Sequence, residues 1–213
     1  MSGLIFSGGD VMAVELLGTA VLFVTTLFAQ AGANDSGNDT DEVVKPVPVL
    51  SLTFDQPDEF PKEAVVNKLN VKGEGPRPPQ FPKMTPTNIA AEFKGGAGSG
   101  RLVIKDPGDN SPLDFKLGDT ITIEAWVQPT TLGNGQTMYV VGKGRTGNDG
   151  VAKDNQNYGL RLAGAKTGAT LSFLFRGAPE EKGVKAEFHR WDSAEGFAVD
   201  GSWHHVAVTY TFG

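Results

Sequence analysis

A short polar stretch of the chain carries three aspartates that could bind a metal ion through oxygen. Asp106, Asp109 and Asp114 lie close together, with Asn110 between them. Calcium prefers carboxylate and carbonyl oxygens, usually about six to eight of them. The spacing does not match an EF-hand loop, whose ligands alternate and end in a bidentate glutamate. These aspartates are therefore candidate calcium ligands, and a solvated turn is the alternative interpretation.

Histidine is scarce, and the positions of the histidines do not favour metal binding or catalysis. The chain has 3 histidines, His189, His204 and His205. Adjacent residues of a strand point to opposite faces, so His204 and His205 cannot hold one metal ion together. His204 alternates with the valines that follow it, which predicts a packed, hydrogen-bonded side chain. For His189 we expect a place in a surface loop.

Three large side chains are candidates for binding an organic ligand. Exposed aromatic rings stack on sugars and peptides, and arginines add forked hydrogen bonds. On this basis Trp126, Arg161 and Arg176 are candidate ligand-binding residues. For Trp126 the alternative is a ring packed between two sheets.

Composition excludes several classes of function. The net charge is −6 and the basic residues are scattered, whereas nucleic-acid binding needs clustered Lys and Arg to neutralise phosphates. The chain has 0 cysteines, which excludes disulfides, Cys-ligated zinc and a thiol nucleophile. The glycine-rich run 95–100 looks like a phosphate loop, but Arg101-Leu102 replaces the Lys-Ser/Thr pair and a predicted strand follows. We expect a loop between strands there.

Apolar residues at every second position predict an all-β fold. Ile121 and Ile123 share a strand face with Ala125 and Val127, and Phe173 and Val206 lie in similar patterns. Turn clusters rich in Gly, Asn, Asp and Pro separate these runs. Such short strands are typical of a two-layer antiparallel β-sandwich. We expect five side chains to be buried between its layers: Ile121, Ile123, Phe173, Val206 and Val208.

The N-terminal region has the pattern of an export leader. Residues 16–33 follow Glu15 and contain no charged residue. They are strongly apolar and end in small residues suited to signal-peptidase cleavage. No Lys or Arg precedes Lys45, so the usual positive start of a signal peptide is missing. The predicted organisation is a helical leader at 1–33, a disordered acidic linker at 34–47 and a domain at 48–213. An uncleaved membrane anchor is the alternative for the leader, although the apolar run is short for the ~20 residues of a spanning helix.

Five segments in order resemble the laminin-G-like modules of the concanavalin A-type jelly-roll fold. The segment at 201–210 reads G-S-W-H-H-V-A-V-T-Y, and 119–127 reads D-T-I-T-I-E-A-W-V. Shorter matches are A-A-E-F-K-G at 90–95, V-G-K-G at 141–144 and Y-G-L-R-L at 158–162. The resemblance implies a concanavalin A-like jelly roll from Pro48 to Gly213, and calcium binding is possible in such modules.

The resemblance also implies a class of function. It suggests a non-catalytic binding or adhesion module for carbohydrate or an extracellular protein, located in the secreted, periplasmic or cell-surface space. In this family further strands follow the Trp-His-His strand, so we expect an incomplete domain at the front of a larger protein. We also expect its exposed edges to promote oligomers.

Two alternatives to a binding module remain open. One is a glycoside hydrolase or lyase of the same fold, although the E-x-D-x-x-E strand usual in such glycosidases is absent. The other is a structural spacer.

Overall fold

Thirteen β-strands and one 3-10 helix make up the part of the chain that the structure describes. The structure is a computed structural model, and it describes residues 11–15, 20–30, 48–62, 64–94, 100–106, 111–144, 157–177 and 188–213. The strands are β1 Val11–Glu15, β2 Ala20–Gln30, β3 Pro48–Thr53, β4 Ala64–Asn67, β5 Asn70–Glu74, β6 Ile89–Phe93, β7 Arg101–Lys105, β8 Thr120–Pro129, β9 Thr137–Lys143, β10 Tyr158–Ala165, β11 Gly168–Arg176, β12 Phe188–Phe197 and β13 His204–Thr211. The 3-10 helix is Pro57–Glu59.

The strands form two antiparallel sheets, which confirms the predicted all-β fold. The larger sheet has 7 strands in the order β12-β11-β10-β9-β1-β7-β4. The smaller sheet has 6 strands, ordered β13-β8-β2-β6-β5, with β3 also paired to β2. The expected two-layer antiparallel β-sandwich is therefore what the chain forms.

The core lies between the two sheets and follows the period-2 pattern of the sequence. Along β8, every second residue from Ile121 to Pro129 is buried and the residues between are partly exposed. Of the five side chains expected in the core, Ile121, Ile123, Phe173 and Val206 are buried. Val208 packs against the core but is only partly buried. It lies on β13, the end strand of the smaller sheet among the residues that the structure describes.

The expected leader helix is wrong for the residues of this region that the structure describes. Residues 11–15 form β1 and residues 20–30 form β2. The sequence of β2 is rich in Val, Thr and Phe, which favour strands over helices. β2 lies between β8 on one side and β3 and β6 on the other, so its backbone is paired along both edges. The predicted linker at 34–47 lies outside the described residues.

The stretch around His189 is also a strand instead of the expected surface loop. Phe188–Phe197 forms β12, the end strand of the larger sheet, and nearly all of its residues are exposed. A short hairpin at residues 166–167 joins β10 to β11, and the register between β11 and β12 shifts at Thr170/Ser172. Charged and turn-forming residues in and near β12 concealed its strand character in the sequence.

The backbone of β10 packs directly against the backbone of the turn that precedes β9. A Cβ atom added to Gly164 would lie 2.0 Å from the carbonyl oxygen of Gly133. Backbone hydrogen bonds join Gly164 to Gln136 and Gly135 at the same point. Only glycine at position 164 allows this close approach.

Within the described ranges, no helix is long and apolar enough to cross a membrane.

Candidate functional site: a groove on the outer face of the smaller sheet

The outer face of the smaller sheet is polar where β8 and β13 pair. Thr122 and Thr209 lie opposite each other with their hydroxyls 2.9 Å apart. Next along the same face, His205 Nε2 lies 3.3 Å from a carboxylate oxygen of Glu124. This face therefore presents hydroxyl, carboxylate and imidazole groups to solvent.

Trp126 belongs to this outer face, so the interpretation of a ring between the two sheets is wrong. Its neighbours in sequence, Ala125 and Val127, are buried in the core on the opposite side. The indole ring packs edge-on against Phe81, with ring centroids 5.0 Å apart, and lies 5.3 Å from the His205 ring. Phe81 comes from the loop between β5 and β6. Trp126 thus supports this loop and is partly covered by it.

Beside this contact lies the feature that we call the Trp203 groove. It is an open cleft of about 570 Å³ between the β5–β6 loop and the start of β13. Its walls combine aromatic rings, carboxylates, amides and a guanidinium group. The lining residues are Gly73, Glu74, Gly75, Arg77, Pro78, Pro79, Gln80, Phe81, Glu92, Gln128 and Trp203.

Arg77 fixes the shape of the loop wall. Its Nε and Nη2 atoms donate to the backbone carbonyl of Asn88 at 3.1 and 2.8 Å, and Nη1 lies 3.1 Å from Glu74. The Asn88 side chain is buried and donates to the carbonyl of Pro76 at 2.9 Å. These bonds join both ends of the loop, so the wall is held in place before any ligand arrives.

The pairing of strands brings Glu92 and Gln128 to the floor of the groove. Val21 of β2 is paired with Glu92 on one side and with Gln128 on the other. Residues directly opposite one another in a sheet lie on the same face, so Glu92 and Gln128 both face the groove across β2. Glu92 also accepts a hydrogen bond of 3.0 Å from Asn70. Trp203, the residue directly before β13, lines the groove together with Glu92 and Gln128.

The structure does not bring the three sequence candidates together. Arg161 lies on the larger sheet, where it donates to Ser172 at 3.1 Å and its guanidinium lies 5.9 Å from the Tyr139 ring. Arg176 ends β11 with its guanidinium 5.5 Å from the Phe188 ring. Only Trp126 lies near the Trp203 groove.

The aspartate cluster holds a lysine. Asp106 and Asp114 both form ion pairs with the ammonium group of Lys143, whose side chain is 1% exposed. Their oxygens therefore converge on a side-chain cation, and this arrangement does not fit a calcium ion. Asp109 lies outside the described residues. The part of the chain that the structure describes contains no group of three or more His, Cys, Asp or Glu side chains placed to hold a metal ion.

Tyr158 lies beside this buried ion cluster. Its hydroxyl donates to the carbonyl of Leu113 at 3.2 Å. Burial raises the pKa of Tyr158 well above its usual range, and the nearby charges of Asp106 and Asp114 add to the effect. Tyr158 is therefore neutral at ordinary pH. We interpret the ion cluster beside it as a structural feature of the protein.

His204 is packed as expected, although one of its ring nitrogens lacks a hydrogen-bond partner among the described residues. Its ring lies 4.6 Å from the ring of Phe197. The nitrogen without a partner is Nε2, which is buried. His189 stacks on Phe175 with ring centroids 4.9 Å apart.

Sequence reasoning missed most residues of the Trp203 groove. Arg77 and Gln80 belong to a loop with no recognisable motif, and Glu92 and Gln128 are single polar residues on strands. The alternation along β8 continues to Gln128, so its place on the same face as Trp126 was a signal that the sequence offered and that was not used. Trp203 was noted only as part of the family motif.

Comparison with known proteins agrees with this architecture. The family model described as the concanavalin A-like lectin/glucanases superfamily matches residues 103–213, which is just over half of the chain. Curated proteins and solved structures gave no match. Laminin-G-like domains of this superfamily are typically non-catalytic, and the match suggests a binding or lectin-like module. The matched region, the two antiparallel sheets and the buried alternation of β8 together show that this chain belongs to the concanavalin A-like lectin/glucanases superfamily.

Proposed function

We propose that this protein is an exported, non-catalytic module that binds carbohydrate in the Trp203 groove. The observation that carries the proposal is the composition of this groove, in which aromatic rings adjoin carboxylate, amide and guanidinium groups. Sugars present apolar C–H faces, which stack on rings, and hydroxyls, which both donate and accept hydrogen bonds. An exposed surface carrying both kinds of group suits such a ligand.

The groove favours an extended glycan over a small enclosed ligand. Its volume of about 570 Å³ is within the usual range for ligand sites, but the cleft is open to solvent. Trp203 and Phe81 supply rings, while Glu92 and Gln128 supply acceptors and an amide donor on the floor. Because Arg77 already holds the loop wall, little conformational entropy is lost when the ligand binds.

The test is a glycan array followed by calorimetry with the best ligand. We expect Trp203→Ala to weaken binding roughly tenfold or more, since a central aromatic residue usually dominates such a site. Trp191→Ala is the matched control, because Trp191 is 45% exposed and lies on β12, away from the groove. Glu92→Gln keeps the size of the side chain and tests its charge alone.

The assay also separates the alternative functions. Glu74 and Glu92 both line the groove, so candidate polysaccharides are checked for cleavage products after incubation. Released sugar that disappears in Glu92→Gln would favour a hydrolase. If no glycan binds, the proposed function is wrong and a spacer or protein-binding module is favoured. If Trp203→Ala binds glycan as well as the unmodified chain, the Trp203 groove is not the binding site.

Export is the part of the proposal supported by the leader pattern of residues 16–33. These residues overlap β2, so a chain cleaved near Asn34 would lose the central strand of the smaller sheet. Fractionation of the native host and N-terminal sequencing of the product test export and cleavage. A full-length chain confined to the cytoplasm would contradict the proposal.

A further inference from the structure

Three ionisable side chains that take no part in the Trp203 groove meet at one buried point. The ammonium group of Lys143 contacts a carboxylate oxygen of Asp106 and one of Asp114. The side chains of Lys143 and Asp106 are only 1% and 3% exposed. A primary amine held between two carboxyl groups, with little access to water, has all the atoms needed to form an amide bond.

Strand pairing fixes the positions of Lys143 and Asp106. β1 pairs with β7 on one side and with β9 on the other, and its positions opposite Lys105 and Lys143 are adjacent. Asp106 directly follows Lys105 at the end of β7. On its other edge, β9 pairs Lys143 with Tyr158 of β10. The backbone of Lys143 is therefore held on both sides, which restricts where its side chain can reach.

A tight turn orients the carboxyl group of Asp114. Its Oδ2 atom accepts a hydrogen bond of 2.8 Å from the amide of Ser111, and the Asp114 amide donates to the carbonyl of Ser111 at 3.0 Å. The other carboxylate oxygen, Oδ1, contacts Lys143 Nζ. A fixed N–H group stabilises negative charge that develops on the oxygen it contacts. The Ser111 amide is thus placed to polarise the carboxyl group while an amine approaches its carbon.

The surroundings of the cluster favour a neutral product over separate ions. Asp114 and Lys143 line a small cavity whose walls also include three phenylalanine rings, those of Phe115, Phe175 and Phe212. In water, an amine and a carboxylate stay apart because water solvates both ions, whereas burial removes most of that solvation. An amide bond removes both charges. The cavity, of about 20 Å³, has room for the single water molecule that such a reaction releases.

We propose that Lys143 and Asp114 condense into an intramolecular isopeptide bond, with Asp106 as the proton carrier. The Lys143 ammonium gives one proton to Asp106, and the resulting amine attacks Cγ of Asp114. A second proton from the nitrogen and the proton held by Asp106 pass to Oδ1 of Asp114, which leaves as water. The new amide keeps one proton on Nζ, its carbonyl oxygen is Oδ2, and Asp106 is again a carboxylate. One ammonium and one carboxylate thus give one amide and one water.

The roles of the two aspartates follow from their surroundings. The side chain of Asp114 is 25% exposed, so water can leave from it, and its Oδ2 already accepts the backbone N–H. Asp106 is the more buried carboxyl group, so a proton that it receives is not lost to bulk water. Groups held in contact by a folded chain can react as if at concentrations of roughly 10⁵ M or more. This compensates for the low reactivity of a carboxyl group.

A permanent ion cluster is the alternative, and the mass of the chain separates the two. Replacing Lys143 destabilises the chain in either case, so the readout is mass and not stability. We expect the denatured full chain to be one water molecule lighter than its sequence requires. Peptide mapping should show a branched peptide that joins Lys143 to Asp114, and trypsin should not cut after Lys143.

Variants of the full chain test the role of each group, with circular dichroism to establish that each one folds. Lys143→Arg and Asp114→Ala should both keep the full sequence mass. Asp106→Asn retains the two reacting groups and should cross-link at least about 100-fold more slowly, because the proton carrier is lost. Lys105→Arg is the matched control, since Lys105 is exposed beside Asp106, and it should cross-link like the unmodified chain.

Four results would overturn the proposal. The first is an unmodified chain that has its full sequence mass. The second is a loss of water that persists in Lys143→Arg, as it would for a succinimide at Asp149-Gly150. The third is cross-linking of Asp106→Asn at the rate of the unmodified chain. The fourth is a branched peptide through Asp106, which would reverse the roles of the two aspartates.

Discussion

The position of β2 makes a sharp prediction for a chain that begins at residue 34. This shortened chain lacks both β1 and β2. In the full chain, β2 pairs with nine positions of β8, from Thr120 to Pro129, and with five register positions on β3. β3 has no other sheet partner in the described part of the molecule, although its Leu50 and Leu52 are buried in the core.

The loss in free energy of unfolding can be estimated from the hydrogen bonds between β2 and β8 alone. An antiparallel ladder has about one hydrogen bond per residue pair, and each contributes roughly 1 kcal/mol net. Nine pairs therefore correspond to roughly 9 kcal/mol. Since a domain is stable by only about 5–15 kcal/mol, we expect residues 34–213 to be unfolded or aggregated at ambient temperature.

The assay compares the full chain with residues 34–213 by circular dichroism, urea unfolding and light scattering. A second variant, Thr26→Pro in the full chain, removes one backbone donor from the middle of β2 and should lower the unfolding midpoint strongly. A cooperatively unfolding monomer of residues 34–213, as stable as the full chain, would refute the reasoning. Unchanged stability of Thr26→Pro would do so independently.

Three further predictions concern single residues. Lys143→Met removes the cation that forms ion pairs with Asp106 and Asp114 and should cost about 3–5 kcal/mol in urea unfolding, with part of the loss restored by adding Asp106→Asn. Gly164→Ala places a methyl group against the carbonyl of Gly133 and should cost about 2 kcal/mol or more in the same assay, unlike alanine at the open position Gly213. Tyr158 has a raised folded pKa, so the unfolded chain releases its proton first as pH rises past about 10, and stability should fall there. Its tyrosinate absorbance should therefore appear together with unfolding, whereas a tyrosinate signal from all three tyrosines in the folded chain would contradict this assignment.

The sequence predicted the sandwich because alternation is a local property of a strand. Ile121 and Ile123 lie in the core since each neighbour points the opposite way, and no distant contact is needed to infer this. β2 was missed because a continuous apolar run without alternation is equally compatible with a leader helix and with a strand paired on both sides. β12 was missed because an exposed end strand needs no apolar face.

The candidate site was harder to predict than the fold. Trp126 was a candidate ligand-binding residue with a ring between the sheets as the alternative, and its contact with Phe81, which decides its surroundings, joins residues that are distant in sequence. The Trp203 groove likewise depends on the register of β2 with β6 and β8, which no local pattern specifies. Calcium was considered for Asp106 and Asp114 because their distance from Lys143 in the sequence concealed the ion pairs.

The proposed ligand binding would depend on the N-terminal segment, because Val21 is paired with both Glu92 and Gln128. The floor of the groove is continuous only while the first residues of β2 are in place. A ligand that spans this floor stabilises the inserted strand by mass action, and it thereby slows any protease that needs the segment released. Conversely, proteolytic loss of residues 20–22 would abolish the binding surface without altering any residue that lines it. Ligand binding in the groove and retention of the N-terminal segment would then be thermodynamically linked, each favouring the other.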